Sequence, residues 1–253
     1  MNNPSSWNLN LIRLTIFPTD SSQILSANPE NLWTTSFDIP IERKEENVMI
    51  QRKFLVGFDG DVECQLELLP TKIQWLFKPK EDIQLTSERS LIFNTLGKIE
   101  SVIDGYKQKI NKIIEANSLV ISRVAIGLLL QTDPIERNAA YQVMAQNLPF
   151  LKVDPSEVKE VLLQINKPIQ STSVGRVRNI EINRLTKWAT TKLKGSVSND
   201  GINIDLIESH YAQLELDINT DKENQRNLTP SQSAVVKKLF DLSEEIIEKG
   251  MSE

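Results

Sequence analysis

Cysteine and histidine each occur once in the 253 residues, as Cys64 and His210. A single cysteine excludes an internal disulfide and is typical of proteins from a reducing compartment. A Ser-His-Asp triad, a Cys-His pair or a histidine-bearing metal site would have to use His210. Cys64 alternates in phase with Val62 and Leu66, which predicts a small buried apolar side chain. We interpret His210 as a structural residue of a strand near the end of the chain.

Long apolar runs and a strong excess of either charge are also missing. The longest apolar run, residues 124–130, is far shorter than the roughly 20 residues of a membrane-spanning helix. The opening residues, MNNPSS, have neither the basic nor the apolar region of a signal peptide. A net charge of -5 argues against a whole-surface attraction to nucleic acid or to an anionic membrane. We therefore expect a cytoplasmic protein with no membrane partner.

The common motifs that bind phosphate or carry a nucleophile are absent. The chain has no GxxxxGK[ST], no GxGxxG and no G-x-S-x-G. One series at every second position begins like a calcium-binding loop: Asp217, Asn219, Asp221 and Glu223. Lys222 then occupies the glycine position of that loop, and Leu228 occupies the position of its bidentate glutamate. We interpret the series as a solvated turn and expect neither a metal nor a cofactor.

A metal-dependent hydrolase is the enzyme class for which the sequence offers candidate ligands. Some metal-dependent nucleases pair an aspartate with a downstream Glu-x-Lys triplet. Asp20 precedes such a triplet at 42–44, and Asp133 precedes another at 157–159. The first triplet falls in a polar loop and the second is explained as a helix cap, whereas metal ligands need rigid support. We keep this class as an alternative and expect a non-enzymatic protein.

The first half of the chain predicts strands that end in a long helix. The predicted strands are residues 9–17, 33–39, 50–58, 62–68 and 73–77, with a charged loop at 42–47 and a hairpin turn at Asp59-Gly60. Alternation in the hairpin places Phe54 and Val56 on its apolar face. Between 88 and 116, apolar residues recur at helical spacing: Ile92, Leu96, Ile99, Ile103, Tyr106, Ile110 and Ile113. Thr86 and Ser87 are candidate N-caps of this helix.

The second half again runs from strands to a helix. Residues 119–131 are apolar on both faces, which predicts a central strand covered on both sides. Asp133 is the expected N-cap of a helix that ends near residue 147. Residues 158–165 fit a helix or a strand, and we favour a short turn at 154–157 followed by a strand. The remaining predicted elements are strands at 180–188 and 212–218, a polar loop at 194–201 and a closing helix with a capping box at 229–232.

Runs of hairpin-linked strands followed by helices indicate an α+β fold with antiparallel sheets and long packing helices. The absence of regular βαβ alternation argues against a doubly wound fold. Strands followed by a helix occur twice, in residues 1–117 and in residues 118–253. We therefore expect two pseudo-related halves that share one core, although no residue-level repeat links them.

The largest departure in composition is the segment 167–194, which has seven basic residues and one acidic residue, Glu181. The candidate binding residues of this segment, here called the basic strip, are Arg176, Arg178, Arg184, Lys187, Trp188, Lys192 and Lys194. Its arginines would suit phosphate groups, and Trp188 would suit stacking on a base. The strip would equally suit an acidic protein partner or a second copy of the chain, and such strips also occur without any ligand.

Three segments of the C-terminal half are similar to a known family: residues 161–168 (VLLQINKP), 182–188 (INRLTKW) and 214–219 (LELDIN), followed by a capped helix. They resemble an uncharacterised, sporadically distributed bacterial family of similar length whose members often occur near mobile or phage-defence genes. The resemblance implies a bacterial origin and a role beside a separate effector. It implies no catalytic residue.

These patterns together predict a non-enzymatic protein-interaction subunit. We expect an accessory, sensor or antitoxin-like component of a bacterial multi-gene system, in the setting of antiviral defence. Its expected partner is another protein, such as an effector encoded nearby, or a second copy in a homo-oligomer. The alternatives are a nucleic-acid-binding protein that uses the strip at 176–194 and a metal-dependent hydrolase.

Overall fold

The computed structural model describes residues 6–81, 83–85, 91–116, 118–194, 196–199, 202–205, 208–222 and 227–251. The strands are β1 (Asn8–Pro18), β2 (Arg43–Asn47), β3 (Arg52–Asp59), β4 (Val62–Leu69), β5 (Lys72–Pro79), β6 (Ile83–Leu85), β7 (Leu91–Phe93), β8 (Gly97–Lys98), β9 (Ile121–Gln131), β10 (Leu162–Asn166), β11 (Ile169–Val174), β12 (Val177–Leu193), β13 (Ser196–Asn199), β14 (Ile202–Asp205) and β15 (Ser209–Thr220). The helices are α1 (Ser22–Leu25), α2 (Pro29–Ser36), α3 (Ile99–Ala116), α4 (Arg137–Asn147) and α5 (Gln232–Lys249).

One large antiparallel sheet dominates the described part of the chain. Its strands follow the order β10-β12-β15-β9-β1-β5-β4-β3-β2, with β11 beside β12 and β8 beside β1. Two separate hairpins pair β6 with β7 and β13 with β14. The α+β class with an antiparallel sheet, predicted from the hairpin-linked strands, is therefore confirmed.

Alternate side chains of the large sheet meet the helices in one hydrophobic core. Ile12 and Leu14 of β1 lie on the same face as Ile126 and Leu128 of β9, and all four are buried. Each of the five helices in the described part of the chain contributes a buried side chain to this core; examples are Ile24, Trp33, Ile110, Met144 and Leu239. We call this side of the sheet the helix-covered face. The other side, whose described side chains lie outside this core, is the open face.

The central strand predicted at 119–131 is confirmed as β9, which pairs with β1 on one side and β15 on the other. The expected cover on both faces is confirmed in part, because Ala125 and Gln131 on the open face are also buried. Val124 and Leu130 enter the helix-covered core, whereas Leu129 lies on the open face and is partly exposed. On that face Gly127 is overlaid by the side chain of Arg13, so an extended side chain takes the place of a second helical layer.

The long helix predicted at 88–116 is shorter than expected. α3 begins at Ile99, and Ile92 belongs to strand β7. Gly97 has a φ of +123°, a conformation outside the α-helical region, so the helix cannot extend back through it. The candidate caps at 86 and 87 lie outside the described residues. The apolar stripe is confirmed within α3, where its buried members are Ile99, Ile103, Tyr106, Ile110 and Ile113.

The strand predicted at 33–39 is wrong, because residues 29–36 form helix α2. The side chain of Asn28 accepts a hydrogen bond from the backbone N–H of Asn31 at 3.0 Å, and Pro29 takes the first helical position. Trp33 points from this helix into the core, and its indole N–H donates to the carbonyl oxygen of Ile39 at 2.8 Å. Burial against the sheet, not strand alternation, explains these apolar residues.

The hairpin of β3 and β4 is confirmed, and Phe54 and Val56 are buried, but they do not share the face of Cys64 and Leu66 as the alternation predicts. Leu55 faces the helix-covered core, while Phe54 and Val56 lie on the open face. Gly57 explains why the apolar alternation of β3 does not mark the side that faces the helix-covered core. A Cβ at this position would lie 2.7 Å from the ring of Trp33 and 2.4 Å from a backbone carbonyl oxygen, so the core side of β3 has no room there for a side chain.

Two predicted helix caps make other bonds, although α4 and α5 lie close to their predicted positions. Asp133 accepts hydrogen bonds from Asn8 at 2.9 Å and from Lys98 at 2.5 Å, while α4 begins at Arg137 without a side-chain cap. The hydroxyl of Thr229 accepts a hydrogen bond from a backbone N–H of β9 at 3.0 Å. Both side chains therefore join distant segments and do not cap helices.

Four predicted turns or loops are compared with the structure, and one of them is confirmed. Residues 43–47, expected as a loop, form strand β2, and residues 196–199 of the expected loop 194–201 form β13. The turn at 154–157 and the strand after it are confirmed. Residues 217 and 219 of the acidic series lie within β15 and not in a turn, whereas residue 223 lies outside the described part of the chain.

The two longest helices pack together on the helix-covered face. Gln232 of α5 donates a side-chain hydrogen bond to the carbonyl oxygen of Ile114 in α3 at 2.7 Å, and Lys107 of α3 pairs with Glu244 of α5. Each helix buries one side and exposes the other. Among the described residues, no helix is both long and apolar enough to cross a bilayer.

The segment from β1 to α3 builds one side of the sheet, and the segment from β9 to α5 builds the other. Each part begins with a central strand, β1 or β9, and continues through helical segments to an outer strand of the sheet. Each then returns strand by strand until β5 or β15 pairs beside the central strand, and each ends in a long helix. This path places both sheet edges, β2 and the β10–β11 pair, far from the central strands.

Two glycines lead to opposite expectations when replaced by alanine. An added Cβ at Gly105, which is exposed in α3, has nothing within 4 Å, so Gly105→Ala should stabilise the protein by about 0.5–1 kcal/mol through improved helix propensity. Gly57→Ala should destabilise it by about 1–3 kcal/mol, because the Cβ meets a carbonyl and Trp33. Urea unfolding followed by tryptophan fluorescence measures both changes. Equal or reversed changes in the free energy of unfolding would contradict the position of Gly105 within α3 and the close contact of Gly57 with Trp33.

Candidate interaction surfaces

The basic strip does not form one continuous surface. Successive side chains of β12 alternate between the two faces, so Arg184 and Trp188 have the parity of the helix-covered face and Lys187 lies on the open face. Lys187 Nζ is 3.6 Å from a carboxylate oxygen of Glu215 on β15. Arg184 Nε donates to the carbonyl oxygen of Lys167 at 3.0 Å. Strand alternation therefore divides the positive charge that the sequence presents as one strip.

Glu208 balances one end of the strip. Lys192 and Lys194 both form ion pairs with this carboxylate, the latter at 3.2 Å between Nζ and Oε2. The hydrogen bond from Lys192 is the largest cause of a lowered pKa at Glu208. Arg176 and Arg178 are exposed at the other end, beside the turn between β11 and β12. Lys192 and Lys194 thus have an acidic partner, Glu208, within the chain.

Trp188 is fully buried and cannot stack on a nucleic-acid base. Its ring packs edge-on against Trp7, with the ring centroids 6.2 Å apart. It stands in the middle of β12 on the core side, which is the position of a structural tryptophan. The stacking role expected of Trp188 is therefore wrong.

His210 lies in a cleft of about 530 Å³ between α4 and the ends of β12 and β15. Its Nε2 is 3.8 Å from Glu208, and its backbone carbonyl accepts a hydrogen bond from the N–H of Ile135 at 2.9 Å. Arg137 and the hydroxyl of Tyr141, which also line the cleft, donate to a backbone carbonyl in the following loop. These contacts hold the loop against the sheet and bring both signs of charge to the cleft.

A buried polar cluster occupies the end of the sheet where β1 begins and β9 ends. Asn10 lies at an irregularity in the β1–β9 register and donates to the side chain of Gln131 at 2.8 Å. Burial of Asp133 opposes its ionised form, but hydrogen bonds from Lys98 and Asn8 outweigh that effect and lower its pKa. The cluster borders a pocket of about 310 Å³. Its hydrogen bonds join the start of β1, the end of β9 and the approach to α3.

Charged side chains on the open face are paired across strands. Arg13 reaches over Gly127 towards Asp217, with 3.4 Å between the guanidinium nitrogen and Oδ2. A Cβ at Gly127 would lie 3.1 Å from that guanidinium, so the absent side chain leaves room for this crossing. Three more ion pairs lie on the same face: Lys78–Glu63, Arg52–Glu67 and Lys187–Glu215. The open face is therefore mixed and largely neutralised, unlike a surface built to bind phosphates.

The Asp and Glu-x-Lys combinations do not assemble into a metal site. Among the residues that the structure describes, no three histidine, cysteine, aspartate or glutamate side chains are grouped closely enough to hold a metal ion. Asp20 accepts hydrogen bonds from the hydroxyl and backbone N–H of Ser22, and these lower its pKa. Residues 43 and 44 of the first triplet belong to the exposed edge strand β2.

Cys64 is a buried free thiol, as its alternation predicts. Burial is the main cause that raises its pKa to about 12. The thiolate, which is the nucleophilic form, is therefore strongly disfavoured near neutral pH. Cys64 lies at the wall of a cleft of about 540 Å³ that is also lined by Ile39, Phe77 and Lys109.

Among the described residues, the two most exposed large apolar side chains, Val48 and Met49, lie beside a third, Ile50, at the turn between β2 and β3. Val48 is 80% exposed, Met49 95% and Ile50 54%. These three consecutive residues are here called the apolar tip. Exposed apolar residues are common singly, but a contiguous group marks an interaction site more often than a solvated surface.

The apolar tip is held by a defined turn. The side-chain oxygen of Asn47 accepts hydrogen bonds from the backbone N–H groups of Met49 at 3.1 Å and Ile50 at 3.4 Å. The N–H of Gln51, which has a φ of +51°, donates to the carbonyl of Val48 at 3.3 Å. The exposed side chains are thus presented by a hydrogen-bonded turn at the end of a hairpin.

Charged residues surround the base of this hairpin. The guanidinium groups of Arg43 and Arg52 lie 5.8 and 4.6 Å from the ring centroid of Phe54. Lys44 pairs with Glu30 of α2. All five residues of β2 are exposed, so the hairpin combines a charged outer strand with an apolar end.

The sequence pattern does not single out the apolar tip, because Ile50 fits the first position of an alternating strand. The signal available was the run of three apolar residues directly after Asn47, a residue that favours turns. Three adjacent apolar residues cannot all lie on one face of a strand.

Compared with models of known protein families and with curated proteins, the chain has no significant match to either.

The buried position of Cys64 predicts that its thiol reacts slowly in the native protein. At pH 8, reaction with a small disulfide reagent should be roughly 100-fold slower in the native protein than in the urea-unfolded chain, because burial limits both access and thiolate formation. The release of the coloured thiol product measures the rate, and Cys64→Ser provides the blank. Similar rates in both states would contradict the buried position.

Proposed function

We propose that this protein is a non-enzymatic interaction subunit that binds another protein through the apolar tip. The observation that carries the proposal is the exposure of Val48, Met49 and Ile50 on an ordered turn. We place it as an accessory, sensor or antitoxin-like component of a cytoplasmic bacterial system, in the antiviral setting implied by the family resemblance of the C-terminal half.

The energetics of the tip favour a protein partner. Burying a large aliphatic side chain fully is worth about 1.5–3 kcal/mol, so the three side chains supply a concentrated source of binding free energy. Presentation by a hydrogen-bonded turn reduces the entropy lost on binding. A few well-placed apolar side chains surrounded by charged residues resemble the centre and rim of a protein interface.

The two alternative functions, nucleic-acid binding and metal-dependent hydrolysis, have less support. The lysines of the basic strip pair with Glu208 and Glu215, and Trp188 is buried. Phosphate binding would compete with those ion pairs. Nucleic-acid binding through Arg176 and Arg178 remains the second proposal, and it requires binding that weakens steeply with salt.

We also propose that residues 1–117 and 118–253 are structurally related halves. The support is their common path: a central strand, helical segments, strands that return from an edge of the sheet and a long helix. In this proposal β1 corresponds to β9 and α3 to α5. In this proposal the apolar tip lies in the first half, at the turn of the outer hairpin formed by β2 and β3, and this hairpin binds the partner.

The test is purification of tagged protein from its own host, with the variant Met49→Asp and the matched control Leu25→Asp. Leu25 is also an exposed apolar residue, at 54%, but lies in α1. The proposal expects a stoichiometric co-eluting protein with the wild type and the control, and its loss with Met49→Asp, because a buried charge is unfavourable in an apolar contact.

Nuclease treatment of the same samples separates the alternatives. A partner that resists the treatment supports the protein-interaction proposal. Nucleic acid in the untreated sample, together with loss of all co-eluting proteins after treatment, would instead support the basic strip. Full retention of the protein partner by Met49→Asp, or no partner in any sample, would overturn the role of the tip.

A further inference from the structure

We propose that two copies of this chain pair antiparallel through β10, so that their large sheets become one continuous sheet. This inference is independent of the apolar tip, because β10 and β2 are the two opposite ends of the described sheet. It follows from three features of residues 161–166 (VLLQIN): outward-facing backbone groups, the absence of charge, and a register in which the segment complements itself.

The first feature is the direction of the backbone groups of this edge. The carbonyl oxygen of Val161 accepts a hydrogen bond from the N–H of Thr190 at 3.1 Å. The N–H of Lys167 donates to the carbonyl oxygen of Arg184 at 3.2 Å. Odd-numbered residues of this segment therefore bond to β12, and the backbone groups of residues 162, 164 and 166 point to the outer side. Among the described strands, none pairs with that outer side.

The second feature is the composition of residues 161–166, which contain no charged residue, no proline and no glycine. Natural edge strands avoid pairing with other chains through charges, prolines or bulges. The β2 edge has such protection, because residues 43–46 are all charged. At the β10 edge, by contrast, Leu162 is 67% exposed, and the first protective residues are Lys167 and Pro168, directly after the segment. Residues 161–166 are therefore suited to pair with another strand.

The third feature is a register in which the segment complements itself. A two-fold axis perpendicular to the sheet makes the two strands antiparallel and keeps each face of the sheet on its own side. With this axis at Gln164, residue 162 of each copy lies opposite residue 166 of the other, and Gln164 lies opposite Gln164. The outward backbone groups of all three residues then meet in hydrogen-bonded pairs. Between residues 158 and 170, no charged residue lies opposite another charged residue.

The neighbouring positions of the axis are less favourable. An axis at Leu163 would set Lys159 opposite Lys167, so like charges would meet. An axis at Ile165 would set Leu162 opposite Pro168, which has no N–H to donate. Gln164 on the axis carries no charge, and its amide can both donate to and accept from the same amide of the second copy.

The same register joins the hydrophobic cores of the two copies. Leu163 pairs with the buried Trp188 of β12 and therefore faces the helix-covered side. In the paired edge, Leu163 of each copy lies opposite Ile165 of the other, and both side chains are only partly buried in a single copy. Their burial adds apolar area to the backbone hydrogen bonds. The combined sheet then has the apolar tips at its two outer ends, because β2 is the end opposite β10.

The oligomeric state of the purified full chain tests this inference, measured by light scattering after size exclusion and by sedimentation. A dimer is expected for the wild type. Gln164→Pro removes an outward N–H but no bond to β12, and it should weaken the dimer roughly ten-fold or more. Gln164→Ala is the matched control, because it also loses the side chain but keeps the N–H, and it should retain the dimer.

Charges placed on the axis test the register. Gln164→Lys and Gln164→Glu each set two like charges opposite one another, and each should weaken its own dimer roughly five-fold. A mixture of the two variants should restore dimerisation, because opposite charges meet in a mixed dimer. Gln164 is exposed, so both changes leave the core intact, and circular dichroism confirms that each variant retains the fold.

Cysteine cross-linking locates the axis. Gln164→Cys should form a disulfide-linked dimer under mild oxidation, since the Cα atoms of a hydrogen-bonded antiparallel pair lie about 5.5 Å apart. Asn166→Cys is the matched control, because it is also exposed on β10 but lies opposite Leu162, and it should remain largely unlinked. The native Cys64 is buried and does not compete.

A monodisperse monomer at high concentration would overturn the pairing through β10, while the proposed function stays intact if a different protein is captured through Met49. A dimer kept with Gln164→Pro and lost with Met49→Asp would overturn the choice of edge. No rescue in the mixture, or stronger cross-linking by Asn166→Cys than by Gln164→Cys, would overturn the axis. A monomer that captures a different protein and loses it with Gln164→Pro would overturn the second copy as the occupant of this edge.

Discussion

The pairing of β1 with β9 is the constraint on which the rest of the structure depends. It joins strands more than a hundred residues apart, from Asn8 opposite Gln131 to Pro18 opposite Ile121. Once this pair forms, β5 can add on one side and β15 on the other, and the alternate apolar residues of all four strands face the same helices. The sheet edges are then displaced to the two ends, where β2 carries the apolar tip away from the core.

Local signals predicted those parts of the fold in which one strong pattern acts alone. The apolar residues on both faces of β9 indicated its central position, and the stripe from Ile99 to Ile113 indicated α3. Prediction failed where tertiary contacts override periodicity. Trp33 fits a strand by alternation but lies in a helix, and Gly57 reverses the phase of β3 because Trp33 occupies the space that a side chain would need. Neither contact can be read from the local sequence.

The candidate sites show the same limit. Composition predicted a basic strip, but charge along a strand is shared between two faces, and the acidic partners Glu208 and Glu215 belong to the neighbouring part of the chain around β15. Conversely, the sequence of the apolar tip resembles the beginning of a strand, and only the exposed fractions of its side chains in the structure identify it as a candidate binding surface. A hydrophobic residue reports burial only on average, so its exposure must be observed.

The central claim is that another protein covers the apolar tip in the cell. The most direct measurement is cross-linking in the native host with a photoreactive amino acid in place of Met49, followed by mass spectrometry of the products. The account predicts specific adducts between this position and another protein. If this position yields only unlinked protein, while the chain is folded and abundant, the tip is a solvent-exposed turn and the account is contradicted.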